Sequence, residues 1–243
     1  MPVILSVIGA SGGVGTSTVA AGLAAEWAAR QEAAVALVDG DPPFGRLDLV
    51  CGLDTVPGLR WPDLAGLRGR PEGGAIRARL PRSRACLVLS GASGWVAPPS
   101  SPDLVGDVVR ALADDAPVIV DAGRDPGRAI GDVVVVSRVG VGYLADLERV
   151  AQRLEGRRPD GTRGLIVVAP RRWRHVAAEL AERVALPLLG VVRADPAVRR
   201  AFERGTLPGR RWRSEIADVV DAVLGGTGRP SVQPPAAGGW ESP

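Results

Sequence analysis

The sequence predicts a doubly wound α/β domain, with a mainly parallel sheet and helices on both of its faces. Short runs rich in Val, Ile and Leu alternate with amphipathic segments along the chain. Parallel strands buried on both faces produce such continuous apolar runs, and helices connect them. A glycine-rich turn follows the first run, and two later runs end at aspartates. These features together favour an open sheet that binds its ligand at the carboxyl ends of the strands.

The strands are predicted from the apolar runs that are short and rich in β-branched residues. The predicted strands are Val3–Ile8, Val35–Val38, Cys86–Ser90, Val118–Asp121, Val133–Ser137, Leu165–Val168 and Leu188–Val192. Because amphipathic segments separate most of them, we expect helices to cross between parallel strands.

The helices are predicted from segments with apolar residues on one helical face. The predicted helices are Ser17–Arg30, Pro102–Asp114, Tyr143–Leu154, Trp173–Arg183, Pro196–Arg204 and Ser214–Leu224. Pro102 and Pro196 suit first turns, with Ser101 and Asp195 as caps. The Gly/Pro-rich segment 225–243 is predicted to be a disordered tail. The predicted domain therefore spans residues 1–224.

Composition excludes several classes of protein. The 243 residues suit one domain and contain no apolar run of 18 or more residues. A membrane span or a secretory signal is therefore not expected. Cys51 and Cys86 lack the spacing of metal ligands, and we expect buried, reduced thiols in a cytoplasmic protein. His175 is the single histidine, which excludes a multi-histidine metal site.

The glycine-rich turn has the composition of a phosphate-binding loop without its lysine. Gly12, Gly13 and Gly15 allow backbone N–H groups to surround an anion at the N-terminus of the following helix. The pattern G-x-x-x-x-G-K-[ST] has a lysine where Thr16 stands, and all 30 basic residues of this chain are arginine. The loop therefore keeps its backbone dipoles and lacks its mobile cation. The alternative is that the glycines serve strand–helix packing alone.

Acidic residues follow two other predicted strands. Asp39-Gly40-Asp41-Pro42 comes after the second strand, and Asp121 ends the strand at 118–121. One acid after the second strand could organise Mg²⁺ or a substitute for the lysine, and the other could orient an attacking water. The alternative is an Asx-turn that ends the strand, which Asp-Pro also forms. The order of these segments after the glycine loop favours a nucleotide site.

At these residues the chain resembles the MinD/ParA superfamily of deviant-Walker P-loop NTPases. Members carry a Lys-Gly-Gly-x-Gly-Lys-[Ser/Thr] loop, an Asp-x-Asp-Pro segment and a Walker B aspartate at the end of a strand. This chain has Ser-Gly-Gly-Val-Gly-Thr-Ser at 11–17, Asp-Gly-Asp-Pro at 39–42, and Asp121. Segments 46–53 and 186–208 are also similar, so the resemblance covers about residues 3–224.

Within the superfamily the chain looks most similar to the CpaE/TadZ-like branch, which includes actinobacterial septum-site-determining (Ssd-type) proteins and secretion-neighbourhood CpaE-like proteins. The similarity rests on residues 9–20 and 58–69. That branch often lacks the Walker lysine and often has a receiver-like domain before the NTPase domain. We expect no such domain here, because the first strand begins at residue 3.

The resemblance implies ATP and Mg²⁺ as cofactors. Residues of the loop would cradle the phosphates, namely Gly12, Gly13, Val14, Gly15, Thr16, Ser17 and Thr18. Ser17 would bind Mg²⁺, and Asp121 would hold the ion through water. Asp39 and Asp41 would form the catalytic acidic site, with Asp41 nearer the attacking water.

Three positions depart from the family pattern. Ser11 stands where the signature lysine would cross a nucleotide-sandwich dimer, and Thr16 stands where the cis lysine would be. A charged hydrogen bond contributes about 1.5–3 kcal/mol, and a trans cation accelerates hydrolysis about 10³–10⁵-fold. We therefore expect weak to moderate ATP binding and very slow or absent hydrolysis. Ala169-Pro170 replaces an Asn that reads the adenine edge in many relatives, which leaves base selectivity open.

The resemblance also implies a role and partners. It favours a positioning protein, acting in septum-site determination or in localisation of a pilus-like secretion apparatus. We expect a cytoplasmic homodimer that contacts secretion, pilus or division proteins and is recruited peripherally to the membrane or pole. The alternative is a ParA-type partition ATPase that binds DNA non-specifically.

Arginine adjoins tryptophan at 60–61, 172–174 and 211–213. Together they could form a surface for nucleic acid or anionic lipid. The arginines that would extend it are Arg199, Arg200, Arg204, Arg210, Arg211 and Arg213. We favour the other interpretation, in which the arginines are solvated and the tryptophans close the edge of the core.

Overall fold

The computed structural model describes residues 3–30, 34–42, 45–69, 71–83, 86–92, 103–155, 161–206 and 208–225. The predicted cap Ser101, the predicted first-turn Pro102 and the tail beyond Gly225 lie outside the described residues.

The described strands form one sheet in the order β3-β4-β2-β5-β1-β6-β7-β8. They are β1 Ile4–Gly9, β2 Val35–Asp39, β3 Arg82–Ser83, β4 Cys86–Leu89, β5 Val118–Asp121, β6 Asp132–Arg138, β7 Thr162–Val168 and β8 Leu188–Val192. Each neighbouring pair is parallel except β3 with β4, which is antiparallel. The predicted fold class is confirmed, and each of the seven predicted strands is present.

The helices are α1 Thr16–Arg30, α2 Leu47–Val50, α3 Trp61–Leu64, α4 Gly73–Arg79, α5 Leu104–Ala113, α6 Val141–Glu155, α7 Arg174–Arg183, α8 Pro196–Glu203 and α9 Arg210–Leu224. Short 3₁₀ turns occupy Pro126–Arg128 and Arg171–Trp173. The cap at Asp195 is confirmed, since its carboxylate accepts a hydrogen bond from the Ala197 N–H at 2.8 Å. The predicted start of the last helix at Ser214 is wrong, because α9 begins at Arg210. Within the described residues, no helix is both long enough and apolar enough to cross a bilayer.

The core has two layers, one on each face of the sheet. Helices α1, α2, α8 and α9 lie over one face, where Trp27 and Leu23 of α1 pack with Ile216 of α9. Helices α3 to α7 cover the other face, where Leu112 and Leu147 are fully buried. The alternating strand residues divide between these two layers, as expected for a sheet buried on both faces.

Two of the three tryptophans that adjoin arginine are core residues. Trp61 is 0% exposed and Trp212 is 4% exposed, whereas Trp173 is 39% exposed. The Trp61 indole N–H donates to the Asp39 carbonyl at 2.9 Å. Trp212 meets Phe202 edge-on, with ring centroids 5.8 Å apart. The interpretation as an Arg–Trp surface is therefore wrong at Trp61 and Trp212. At these two positions the tryptophans close the edge of the core.

Both cysteines are buried and free, as predicted. Burial raises the pKa of the Cys86 thiol to about 12, so the thiolate is disfavoured at this position.

Candidate phosphate-binding site

The turn between β1 and α1 has a backbone that only glycine adopts readily. Gly13 has φ +72° and Gly15 has φ +99°, both in the left-handed region. The start of the turn is fixed to neighbouring strands, since the Gly9 N–H donates to the Gly123 carbonyl and the Ala10 N–H donates to the Val136 carbonyl, each at 2.8 Å. The conformation is thus specified by sequence and by the sheet beneath it.

The N-terminus of α1 presents unpaired backbone donors. Among the described residues, the N–H groups of Gly15, Thr16, Ser17 and Thr18 donate to no acceptor. The Val19 N–H is the first to bond, to the Gly15 carbonyl at 2.9 Å. All four donors belong to residues that line one cleft. Free donors at a helix N-terminus are suited to an anion.

The strand order brings a predicted catalytic acid, Asp39, and the predicted metal residue Asp121 together. Asp39 and Asp121 are paired positions on the parallel strands β2 and β5, and β5 also adjoins β1. Asp121 is buried, and its carboxylate accepts a hydrogen bond from the Gly123 N–H at 3.2 Å, with the Ser17 hydroxyl close by. Burial, followed by the nearby Asp41 charge, raises the pKa of Asp121, although the Ser17 hydroxyl and the Gly123 N–H oppose that rise. A bound cation would stabilise the ionised form.

The two predicted catalytic acids have different surroundings. Asp39 is 2% exposed, and its Oδ2 atom accepts from the N–H groups of Leu47 and Gly91, each at 3.2 Å. Burial, followed by the Asp121 charge, raises the pKa of Asp39 well above its usual value. Asp39 therefore fixes the segments after β2 and β4 as well as lining the cleft.

Asp41 is the more accessible of the two acids. Its side chain is 30% exposed, and Oδ1 lies 2.9 Å from Nη1 of Arg128. Gly123, at φ +65°, faces it, and a Cβ added there would lie 3.4 Å from Asp41 Oδ2. The Arg128 ion pair holds Asp41 against the segment after β5.

A cleft of about 440 Å³ lies over the glycine turn. Its walls include Gly12, Gly13, Gly15, Thr16, Ser17, Thr18, Asp39, Asp41 and Asp121, and also Arg46, Arg124 and Arg199. The structure thus brings the predicted residues together, except that the Val14 side chain is fully buried. Sequence reasoning did not assign these arginines to the site. For Arg124, its place three residues after Asp121 could have indicated this edge of the sheet.

A second cleft, of about 360 Å³, adjoins the first and shares Gly13, Gly15, Thr18 and Arg199 with it. Its other walls come from the carboxyl ends of β6, β7 and β8, and include the apolar residues Val168, Val192 and Trp212. Arg138 also lines it, and its Nε is buried without a hydrogen-bond partner among the described residues. The combined space is polar at the glycine turn and largely apolar beyond it.

The residue in the signature-lysine position is held within its own chain. Ser11 is 9% exposed, and its hydroxyl donates to the Asp146 carboxylate on α6. Asp146 is also paired with Arg149 Nη2 at 2.7 Å. The side chain at position 11 therefore contacts α6 rather than solvent.

Proteins of known sequence supply one kind of comparison. No protein-family model matches the chain. Uncharacterized protein Rv3660c of Mycobacterium tuberculosis strain H37Rv and uncharacterized protein MT3760 of strain CDC 1551 are each 39% identical to it over 229 residues, which is 91% of this chain. The chain spans 63% of the length of these relatives.

Solved structures supply the second comparison. A ParA family ATPase from Chlorobium tepidum TLS aligns with TM-score 0.75 and 16% identity, over 90% of this chain and 99% of that one. The fold is that of the MinD and ParA ATPases. MinD of Pyrococcus horikoshii OT3, complexed with Mg-ADP, aligns with TM-score 0.70 and 22% identity, over 93% and 98% of the two chains. A chain of the MinC:MinD cell division complex of Aquifex aeolicus gives TM-score 0.74 and 16% identity, over 92% and 96%.

Proposed function

We propose that the chain is a member of the MinD/ParA superfamily that binds ATP and Mg²⁺ in the cleft over the glycine turn. One observation carries this proposal. Four unpaired N–H groups at the start of α1 line the same cleft as a hydroxyl and a carboxylate, those of Ser17 and Asp121. Backbone donors suit phosphate oxygens, and hydroxyl and carboxylate oxygens suit Mg²⁺.

The residues present fit a nucleotide on both sides of the turn. Residues 12–18 would hold the phosphates, Ser17 would bind Mg²⁺ directly, and Asp121 would hold it through water. Bound Mg²⁺ would offset phosphate charge and would favour the ionised form of Asp121. The second cleft, with its apolar walls and the unpaired Nε of Arg138, is suited to the nucleoside.

The proposed activity is nucleotide binding with very slow or absent hydrolysis. Thr16 carries no charge toward the phosphates, and Ser11 is bonded to Asp146 of its own chain. Asp41 is paired with Arg128 at 2.9 Å, so its use as a base would require that pair to open. Asp39 already accepts from two backbone N–H groups. Binding tolerates such losses better than hydrolysis does, because hydrolysis needs charge stabilisation specific to the transition state.

The proposed role is that of a nucleotide-dependent positioning protein, in septum-site determination or in localisation of a pilus-like secretion apparatus. The resemblance of the turn to the CpaE/TadZ-like branch supports it, and so does a fold shared with MinD of a MinC:MinD cell division complex. We propose a homodimer that contacts secretion, pilus or division proteins and is recruited peripherally to the membrane or pole by such a partner.

The deciding experiment is calorimetric titration with ATP and ADP, each with and without Mg²⁺, together with a phosphate-release assay. We expect measurable binding that Mg²⁺ strengthens, and little or no turnover. The Asp121→Asn variant should bind nucleotide but lose the Mg²⁺ enhancement. Turnover typical of active ATPases would overturn the pseudo-enzyme part of the proposal. Absence of binding under every condition would overturn the nucleotide part.

DNA binding of the ParA type is the second candidate, and exposed arginines favour it. Arg200, Arg204, Arg210, Arg211 and Arg213 are exposed on or beside α8 and α9. These exposed positive charges do not depend on the buried Trp212. Binding of DNA to them should weaken steeply with salt, because phosphate contacts release counterions.

A further inference from the structure

The cleft over the glycine turn contains three arginines, and two of them are already paired. Arg46 Nε lies 3.6 Å from Asp48 Oδ1, and Arg199 Nε lies 2.7 Å from Glu203 Oε1. Among the described residues, Arg124 makes no ion pair and no hydrogen bond through its side chain. Within the described part of the chain, Arg124 is therefore the cation of this cleft that is available to a ligand.

The Arg124 side chain lies against the glycine turn itself. Its Nη1 atom is 3.4 Å from where a Cβ on Gly12 would stand, so the guanidinium packs over a residue that has no side chain. A larger residue at position 12 would press against this group. Gly12 thus leaves space for the arginine as well as for an anion.

The backbone before Arg124 is tied to the same turn. The Gly123 carbonyl accepts from the Gly9 N–H at 2.8 Å, and the Gly123 N–H donates to Asp121 Oδ1 at 3.2 Å. Gly123 has φ +65°, which turns the chain sharply after β5. These bonds fix the start of the Arg124 side chain relative to the phosphate-binding loop.

Neighbouring charges do not compete for Arg124. Asp125 Oδ1 lies 2.9 Å from Arg153 Nη2 and accepts from the Gly127 N–H at 2.9 Å. Asp41 is paired with Arg128. Asp125, which follows Arg124 in the chain, and Asp41, which approaches this segment at Gly123, thus have other partners, and the guanidinium is left free to take a phosphate.

We propose that Arg124 supplies the phosphate-binding charge that Thr16 lacks, donating hydrogen bonds from its guanidinium to the terminal phosphate of ATP. This inference rests on the proposed nucleotide binding and adds a residue to it. Asp121, three positions earlier at the end of β5, is the carboxylate that would hold Mg²⁺, and Arg124 lines the same cleft. A guanidinium can donate two parallel hydrogen bonds to a phosphate. A cation from another segment of the chain can therefore serve in place of one in the loop.

The test compares the affinities of ATP and ADP, both with Mg²⁺, across four forms of the whole chain. Arg124→Ala should weaken ATP binding about tenfold or more, as for loss of a charged hydrogen bond, and should weaken ADP binding less. Arg124→Lys should recover part of the ATP affinity. Arg79→Ala, at an exposed arginine of α4 outside both clefts, serves as the matched control and should bind ATP as the parent does. Equal thermal melting of all four forms establishes that each is folded.

A double-mutant cycle with Thr16→Lys sharpens the test. If Arg124 acts in place of the loop lysine, Thr16→Lys should increase ATP affinity more in the Arg124→Ala chain than in the parent. Additive effects, or an Arg124→Ala chain that binds ATP like the Arg79→Ala control, would overturn the inference while leaving nucleotide binding intact. A parent chain that binds neither nucleotide would instead overturn the proposed function, and this inference with it.

Discussion

Two segments face the same cleft and contribute different chemistry to it. The turn at residues 9–16 offers backbone N–H groups and small side chains, in a conformation that depends on glycine. The segment at residues 121–128 offers charged side chains, with Asp121 at the end of β5 and the arginines 124 and 128 beyond it. The conformation of the turn is determined by its backbone geometry. The positions of the charged side chains in residues 121–128 are determined by ion pairs and by the end of strand β5.

The difference indicates that the parts of this candidate phosphate site are determined separately. The left-handed glycines and the free N–H groups are present without a lysine in the turn, because the turn is anchored through the Gly9 and Ala10 N–H groups. In the arrangement that we propose, Arg124 supplies the positive charge from the neighbouring segment at the same edge of the sheet. Hydrolysis is the more fragile property, since it needs both kinds of group correctly placed.

The largest effect should come from distorting the backbone of the turn. Gly15→Ala places a side chain at φ +99°, where L-residues are strained, although no atom lies within 4 Å of the new Cβ. The turn should relax and its N–H groups should diverge, so calorimetry should detect no ATP binding. Gly142→Ala is the matched control, because its Cβ also meets nothing and its φ is ordinary. Retained ATP affinity in Gly15→Ala would show that binding does not depend on the turn.

The next effect should come from returning charge to the turn. Thr16→Lys with Ser11→Lys should strengthen ATP binding by about 1.5–3 kcal/mol, the size of a charged hydrogen bond, as read by titration. Lysine at position 11 would also replace the hydroxyl that now donates to Asp146. Turnover should rise in the double variant. Unchanged ATP affinity would mean that phosphate does not bind within reach of the side chain at position 16.

A smaller effect concerns the buried acid beside the cleft. Burial and the Asp121 charge raise the pKa of Asp39 in the folded chain, so the folded chain binds that proton more tightly than the unfolded chain does. Ionised Asp39 therefore lowers the free energy of unfolding as pH rises from the ordinary carboxyl range through the raised pKa. Asp39→Asn removes the charge and keeps an oxygen for the Leu47 and Gly91 N–H groups.

Thermal melting between pH 5 and pH 8 measures this effect. The Tm of Asp39→Asn should exceed that of the parent at pH 8, and the difference should shrink as pH falls. Asp218→Asn, at an exposed position of α9, is the control and should follow the parent. A Tm difference that grows on acidification would mean that ionised Asp39 stabilises the folded chain, contrary to this expectation.

The smallest effect is expected in the binding of duplex DNA. We expect the partner to be a protein, so the parent chain should give little or no shift of duplex DNA even at low salt. If it does bind, replacing Arg199, Arg200, Arg210 and Arg211 by Ala should abolish the shift. The logarithm of affinity should then fall against log salt with slope about −0.9 per phosphate contacted. Tight parental binding that collapses in the mutant would favour the partition ATPase.

Periodicity was sufficient to predict the strands that carry the site, because buried parallel strands are continuous apolar runs that end at Gly9, Asp39 and Asp121. It was not sufficient for residues 46–80, where α2 and α3 have only four residues each and complete no helical repeat. The start of α9 was not predicted because three of its first four residues are arginines. The apolar face of the helix begins at Trp212, and those arginines make it difficult to recognise in the sequence.

The residues of the cleft also divide into those that the sequence could predict and those that it could not. Its glycines and acids follow a known pattern along the chain, so sequence could name them. Arg124 packs over Gly12, although 112 positions separate the two, and that contact depends on β5 lying beside β1. Only the folded arrangement shows which arginines are already paired with carboxylates.

Trp212 provides an intrinsic fluorescent probe of the second cleft. It lines that cleft, meets Phe202 edge-on, and lies so close to α1 that a Cβ on Gly22 would collide with its ring. The emission of an indole at this junction should respond to changes in polarity both in the cleft and along α1, the helix whose N-terminus faces the candidate phosphate site. Its intrinsic emission should therefore shift when a ligand fills the cleft. Occupancy could then be followed without a dye, and Trp212→Phe would identify the source of the signal.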